Sequence, residues 1–237
     1  MAPLIRAERL TKVYGAETVA PVTALDDVSL QIEERSFTGI VGPSGSGKST
    51  LLNLLGCLDK PSSGQYWFDG REVDRLPDDE LSRLRASAMG FVFQSFNLLP
   101  RLSVVENVAL PLTYQGVARG ERTSRAEEMA DRLGLGDRRH HRPSELSGGQ
   151  AQRVGIARAL VTSPRVVFAD EPTGNLDSKT AEEILSVLAG LHSDGLTVVM
   201  VTHDEQIVQA SDRILHIIDG KLARDTAATE ERNNAME

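Results

Sequence analysis

The segment Gly42-Pro43-Ser44-Gly45-Ser46-Gly47-Lys48-Ser49 has the residue types and spacing of a turn that closes around phosphate. Glycines let the backbone curl so that successive N–H groups converge on one anion. A helix following the turn adds the positive end of its dipole. In such a cradle Lys48 reaches the β- and γ-phosphates of a nucleotide, the Ser49 hydroxyl ligates Mg²⁺, and Thr50 bonds a neighbouring phosphate oxygen. The alternative is a glycine-rich turn without a ligand. Chance gives the pattern in roughly one chain per hundred of this length, and here an apolar strand precedes it and a helical pattern follows. The loop alone does not choose among kinases, GTPases and ATPases, but no Asn-Lys-x-Asp segment for guanine is present.

Two further stretches carry chemistry. Val166-Val167-Phe168-Ala169-Asp170-Glu171 is an apolar strand ending in two carboxylates. In phosphate-loop enzymes an Asp at this place holds Mg²⁺, usually through water, which is the role expected of Asp170. Neighbouring residues at a strand end point in different directions, so Glu171 is expected to face the γ-phosphate and orient a water for attack. Leu146-Ser147-Gly148-Gly149-Gln150 opens a helix and reads as a second anion cradle. One phosphate loop already supplies a full phosphate site. The simplest use of a second cradle is to serve another copy of the chain, two copies pairing head to tail around two nucleotides with two-fold symmetry.

The elements that position these residues follow from the apolar pattern. Residues 4–10 and 28–32 read as strands, and 37–41 as a buried strand running into the glycine-rich turn. Helical spacing covers 49–58, and 65–68 is a strand whose Tyr66, Trp67 and Phe68 are expected to pack. A base-stacking platform would need basic residues between the aromatics. Ser103-Val104-Val105-Glu106 is a capping box at the start of an apolar helix. Residues 121–135 form a charged amphipathic helix and 150–161 another helix. Beyond them, 166–169 is a buried strand, 180–191 a helix, and 197–201 and 214–218 strands. Such alternation argues for an α/β sheet with parallel strands at its centre.

With these motifs in order, the chain resembles the ATPase subunits of ABC transporters over nearly its whole length. Leu146 to Gln150 matches that family's signature motif, and the two nucleotide motifs match at Gly42 to Ser49 and Val166 to Glu171. The resemblance implies further roles. Tyr14, in Thr-Lys-Val-Tyr-Gly, sits where the family places an aromatic that stacks on adenine. Gln94 matches the glutamine that senses Mg²⁺ and contacts the membrane subunit. Pro172 to Asp177 matches the loop at the dimer seam, with Asp177 its key residue, and His203 matches the histidine that contacts the γ-phosphate. Nearer still is the subfamily of lipoprotein-release and macrolide-export systems, through Gly56-Cys57-Leu58-Asp59-Lys60-Pro61, Phe96-Asn97-Leu98-Leu99-Pro100 and Ala169 to Asp177. The cell-division ATPase is a near neighbour. Ala151, Arg35-Ser36 and Gly155 depart from the usual residues, and none removes a catalytic group.

The resemblance therefore implies one ABC-type P-loop NTPase domain, α/β, with a mixed β-sheet core and a helical signature subdomain. Residues 1–94 and 162–223 are expected to form the nucleotide-binding core, 95–161 the helical subdomain, and 224–237 a polar tail. The expected activity is ATP hydrolysis coupled to transport through a separate integral membrane permease, with ATP and Mg²⁺ bound and a homodimer formed on ATP binding. Glu171, His203, Lys48 and Gln94 are expected to carry catalysis. Gly42 and Ser44 to Thr50, Tyr14, Ser147 to Gln150 and Asp177 are expected to hold nucleotide. Ser49, Gln94 and Asp170 are expected to hold the metal. The alternative is a cell-division-type ATPase that signals through a membrane partner without transport.

Composition agrees with this reading. A net charge of −8 disfavours nucleic acid as a partner. The single cysteine, Cys57, fits a reducing compartment. No apolar run approaches the roughly twenty residues of a spanning helix, and the N-terminus lacks the apolar stretch of a signal peptide. The expected location is thus the cytoplasm, at the inner face of the membrane through the permease, without direct insertion.

Overall fold

A computed structural model of the chain describes residues 2–17, 20–202 and 211–227. The chain divides into two compact units: Met1–Leu81 with His192–Glu237, and Ser82–Leu191.

The first unit carries two sheets. Strands β1 (Ile5–Tyr14), β2 (Val22–Ile32), β4 (Ser63–Phe68) and β5 (Arg71–Glu72) form an antiparallel sheet in the order β2-β1-β4-β5. Ile5 and Ala7 in β1 and Val28, Leu30 and Ile32 in β2 are buried in alternation, and register shifts along the pair reset the pattern so that Leu10 and Leu25 are buried as well. Tyr66 and Phe68 are buried in β4, and Trp67 between them lies under the Arg6 guanidinium, so the aromatic run packs as its lack of basic interleaving suggested.

In the same unit β3 (Phe37–Val41) lies between β8 (Thr197–Val201) and β9 (Arg213–Ile218), parallel to both, and β10 (Lys221–Ala227) pairs antiparallel with β9. The sheet is therefore mixed. Its central strands β3 and β8 are buried along almost their whole length, which is why they read as continuous apolar runs rather than alternating ones. The expected polar tail, 224–237, begins within β10. Residues 224–227 complete β10, with Arg224 opposite His216 and Ala227 opposite Arg213.

In the second unit β6 (Met89–Phe93) and β7 (Val166–Asp170) run parallel, and α5 (Gly148–Leu160) packs against β6, α3 (Val104–Tyr114) and α4 (Arg119–Arg132). The capping box at Ser103 and Glu106 forms as the sequence implies, each side chain bonding the other's backbone N–H. Helix α1 (Lys48–Leu55) is shorter than expected because the chain turns at Gly56 and Cys57 takes a φ of 54°. Helices α2 (Asp78–Ala88) and α6 (Ser178–Ser193) complete the regular elements. The helical segment expected at 95–161 falls within the second unit, which also takes in β6, β7 and most of α6.

Candidate functional site

The glycine-rich turn leaves β3 at Val41 and enters α1 at Lys48. Gly47 caps the helix with a φ of 102°, and a Cβ there would lie 2.4 Å from the Ala24 carbonyl oxygen. Only glycine combines that left-handed φ with so close an approach. The Lys48 ammonium donates to the carbonyls of Gly42 and Pro43, each at 2.9 Å, and is almost fully buried. These bonds fold the lysine back along its own loop, so its charge sits at the centre of the turn. The Ser46 hydroxyl is buried and has no hydrogen-bond partner among the described residues. A buried polar group without a partner costs free energy, and an entering anion that accepted from this hydroxyl would relieve it. Ser44, Gly45, Ser49 and Thr50 complete the segment, Gly45 with a φ of 76°. Tyr14, at the end of β1 in the same unit, keeps 42% of its surface exposed and donates its phenolic hydroxyl to Asp59 Oδ2 at 3.0 Å.

In the second unit the parallel pair β6 and β7 sets Phe93 opposite Asp170. Gln94 and Glu171 follow at neighbouring carboxyl ends, the side of a parallel sheet where ligands gather. Glu171 has a φ of 44°, a left-handed conformation unusual for a residue with a side chain. The chain then turns back, Gly174 N–H bonding the Glu171 carbonyl at 3.1 Å. Such strain persists only where the surroundings hold it, and it concentrates at working sites. Asn175 donates to the Gln94 carbonyl at 3.0 Å, and the Gln94 side chain lies against Gly174. The structure thus brings Gln94 and the loop after Glu171 together.

Ser147 and Gln150 form a capping box at the start of α5. The Ser147 hydroxyl accepts from Gln150 N–H at 3.3 Å, and the Gln150 side chain accepts from Ser147 N–H at 3.0 Å. Because that hydroxyl is an acceptor in the cap, its proton stays free to donate outward. Sequence reading took Gln150 as a phosphate contact and missed this capping role, although Ser-x-x-Gln was the signal for it. Gly149 lies so close to Thr180 that a Cβ would approach its Cγ2 to 2.4 Å, and Gly148 faces Leu176. Asp177 holds Thr180 from below α6, its carboxylate accepting from the Thr180 hydroxyl at 2.6 Å and the Thr180 N–H at 3.1 Å. These bonds, the hydroxyl's first, hold the Asp177 carboxyl below its ordinary range. The signature turn, the loop 172–177 and the start of α6 are thus one packed cluster.

Sequence reading also missed Asn107 and Arg158. Buried Asn107 bonds the backbone of Leu99, Leu102 and Ser103. Arg158 on α5 donates to the carbonyls of Phe96 at 2.8 Å and Asn97 at 2.5 Å, both of which have positive φ. No motif marks these two residues; only the contacts reveal them. His203 lies outside the described residues.

Ser49 of the first unit and Asp170 and Gln94 of the second, expected to hold a metal, each carry an oxygen donor. A hydroxyl, a carboxylate and an amide carbonyl are hard oxygen ligands of the kind Mg²⁺ takes. Among the described residues no group of three or more His, Cys, Asp or Glu suggests a different ion. None of their helices is long and apolar enough to cross a membrane.

Comparison with known proteins follows the same lines. The family model described as "ABC transporter" matches residues 25–174. The macrolide export ATP-binding/permease protein MacB of Marinobacter nauticus is 51% identical over 226 residues, covering 95% of this chain and 35% of that protein. An uncharacterized ABC transporter ATP-binding protein of Thermotoga maritima is 53% identical over 211 residues, covering 89% of this chain and 90% of that protein. The chain thus spans about a third of the length of the macrolide-export relatives and nearly all of the Thermotoga one. Among solved structures, the dimeric post-hydrolysis state of the ATP-binding cassette MJ0796 bound to ADP and Pi aligns with a TM-score of 0.87 and 44% identity, over 94% of this chain and 98% of that one.

Proposed function

Since the chain belongs to the ABC transporter family and is an ABC ATPase domain, we propose that it is the ATP-binding and ATP-hydrolysing subunit that powers a separate membrane permease. The observation that carries the proposal is the presence of two helix-opening cradles on one chain: the glycine turn with its buried lysine and unpartnered Ser46 hydroxyl, and the Ser147 cap with a hydroxyl proton free to donate. ATP binds in the first cradle, and the second closes over the γ-phosphate of a sister chain's ATP. The dimeric form of the MJ0796 cassette supports that arrangement.

In this reading each residue has one task. Tyr14 stacks on adenine. Gly42 to Thr50 hold the phosphates, Lys48 neutralising the β- and γ-oxygens. Glu171 orients the attacking water, and His203 contacts the γ-phosphate. Ser147, Gly148, Gly149 and Gln150 of the opposite copy complete the pocket, with Asp177 at the seam. Mg²⁺, when held by Ser49, Gln94 and, through water, Asp170, supplies further positive charge to the phosphates. Catalysis is then mostly positioning and charge stabilisation. Gln94 and the exposed Leu99 region beside it form the docking surface for the permease at the cytoplasmic face of the membrane. Likeness to the macrolide-export proteins supports export or extraction of a lipid-linked, peptide or drug-like substrate.

The test is Glu171→Gln. The variant should bind ATP, fail to turn it over, and accumulate as an ATP-dependent dimer in size-exclusion chromatography with light scattering. Hydrolysis near the unmodified rate would remove Glu171 from its role. A strictly monomeric ATP-bound variant would remove the two-fold pocket.

A further inference from the structure

Lys12 and Asp59 touch no phosphate group in the scheme above, yet they join the two ends of the first unit's nucleotide machinery. Asp59 sits in the turn that follows α1. That turn is built onto the helix: the N–H groups of Leu58 and Asp59 both donate to the Asn53 carbonyl, at 2.8 and 3.3 Å. The Asp59 carboxylate then accepts three bonds, from Lys12 Nζ at 2.7 Å, the Lys60 N–H at 2.7 Å and the Tyr14 hydroxyl at 3.0 Å. Lys12 Nζ also donates to the Lys60 carbonyl at 2.7 Å and stands 4.9 Å from the centre of the Tyr14 ring. Ser62 adds a backbone tie, its hydroxyl accepting from Val13 N–H at 3.0 Å. Burial alone would raise the Asp59 carboxyl, but the hydrogen bonds from Lys12, Lys60 N–H and Tyr14 and the Lys12 charge hold it below its ordinary range.

The other end of α1 is the phosphate turn. An eight-residue helix spans about 12 Å, so α1 acts as a spacer between the cradle at Lys48 and the aromatic ring of Tyr14. A free tyrosine at a strand end would sample several rotamers and lose that freedom when a base stacked on it. Here the hydroxyl is bonded and the ammonium lies near the ring, while much of the ring's surface remains exposed.

We propose that Lys12 and Asp59 are positioning residues that fix the Tyr14 ring at a set distance and angle from the phosphate turn, so that the chain binds a base-bearing nucleoside triphosphate more tightly than a bare triphosphate. The inference rests on the reading of Tyr14 as the base platform. Three variants test it: Tyr14→Phe, which removes only the hydroxyl, Asp59→Ala, which removes the anchor, and Tyr14→Ala, which removes the platform. Affinities for ATP and for inorganic tripolyphosphate are measured by calorimetry, with KM and kcat for ATP and a thermal melt for each variant.

Loss of one hydrogen bond should weaken ATP binding by about two- to tenfold. Tyr14→Phe and Asp59→Ala should both show that loss. Asp59→Ala should raise KM rather than lower kcat, and tripolyphosphate affinity should hold in both. If Tyr14→Ala weakens ATP binding while the other two variants bind as the unmodified chain does, the positioning role is overturned and the platform stands. If Tyr14→Ala binds ATP undiminished, the platform reading falls and the positioning role with it. Equal weakening toward tripolyphosphate would overturn the proposal by placing the effect in the phosphate turn. Should Asp59→Ala fail to fold, Tyr14→Phe decides alone.

Discussion

Gly47 shows how narrowly a single position can be constrained. Its φ of 102° and the Ala24 carbonyl at 2.4 Å from a would-be Cβ exclude every side chain. Gly47→Ala should therefore cost about 2 kcal/mol or more of stability, read from urea unfolding, and weaken ATP binding because the amides no longer converge. A melt unchanged from the parent would show that the turn can relax. At this scale the sequence was most legible where a motif fixes residue type and spacing together, as in 42–49. It was least legible where a side chain serves through a distant partner. Asn107 and Arg158 bond backbone groups in a loop whose shape no local pattern encodes. The capping role of Ser147 and Gln150 was written in the spacing and was obscured by their resemblance to a binding motif.

Among elements, the buried strands were the most readable. β3 and β8 fall where their apolar runs begin and end, because a strand covered on both faces is mostly apolar, Thr38 and Thr197 being the buried exceptions. Four elements escaped, the two-residue β5 among them. α2 is polar along most of its length, with Asp78, Asp79 and Glu80 in its first turn, so no apolar stripe announces it. β6 is interrupted by Gly90, and β10 has exposed charged residues on an outer strand. The signature helix offers a direct test of element energetics. Gly155 is buried in α5, and a Cβ there would meet its nearest neighbours, the Gln152 side-chain oxygen and the Phe96 carbonyl, at 3.8 Å. That is ordinary contact, so Gly155→Ala should stabilise the chain by about 0.5–1 kcal/mol through helix propensity. A lower urea midpoint would mean that α5 needs the looseness glycine gives.

For the whole molecule, acid should be the weak direction. Hydrogen bonds to the Ser103 backbone and hydroxyl hold Glu106 below its ordinary range, and Asp59 and Asp177 are held low as well. A carboxyl depressed in the folded state contributes stability above its unfolded value, and that contribution is lost as pH falls through the folded value. Unfolding free energy should therefore be level near neutrality and decline below about pH 4. Glu106→Gln should shallow the decline in a pH series of urea melts; an identical slope would show that its cap bonds are too exposed to matter. The fold class and the phosphate chemistry were readable at this scale because motif order survives without coordinates, whereas the division into units depends on packing that no single window of sequence contains. The β9–β10 hairpin shows what that means in practice. Gly220 donates to the Ser46 carbonyl at 2.9 Å, and the Ile217 carbonyl lies 2.0 Å from where a Gly42 Cβ would be. A ribosome makes the phosphate turn early and the hairpin beneath it late. The nascent polypeptide therefore carries an unsupported cradle until Gly220 has emerged, and a copy cut short before that point lacks the support.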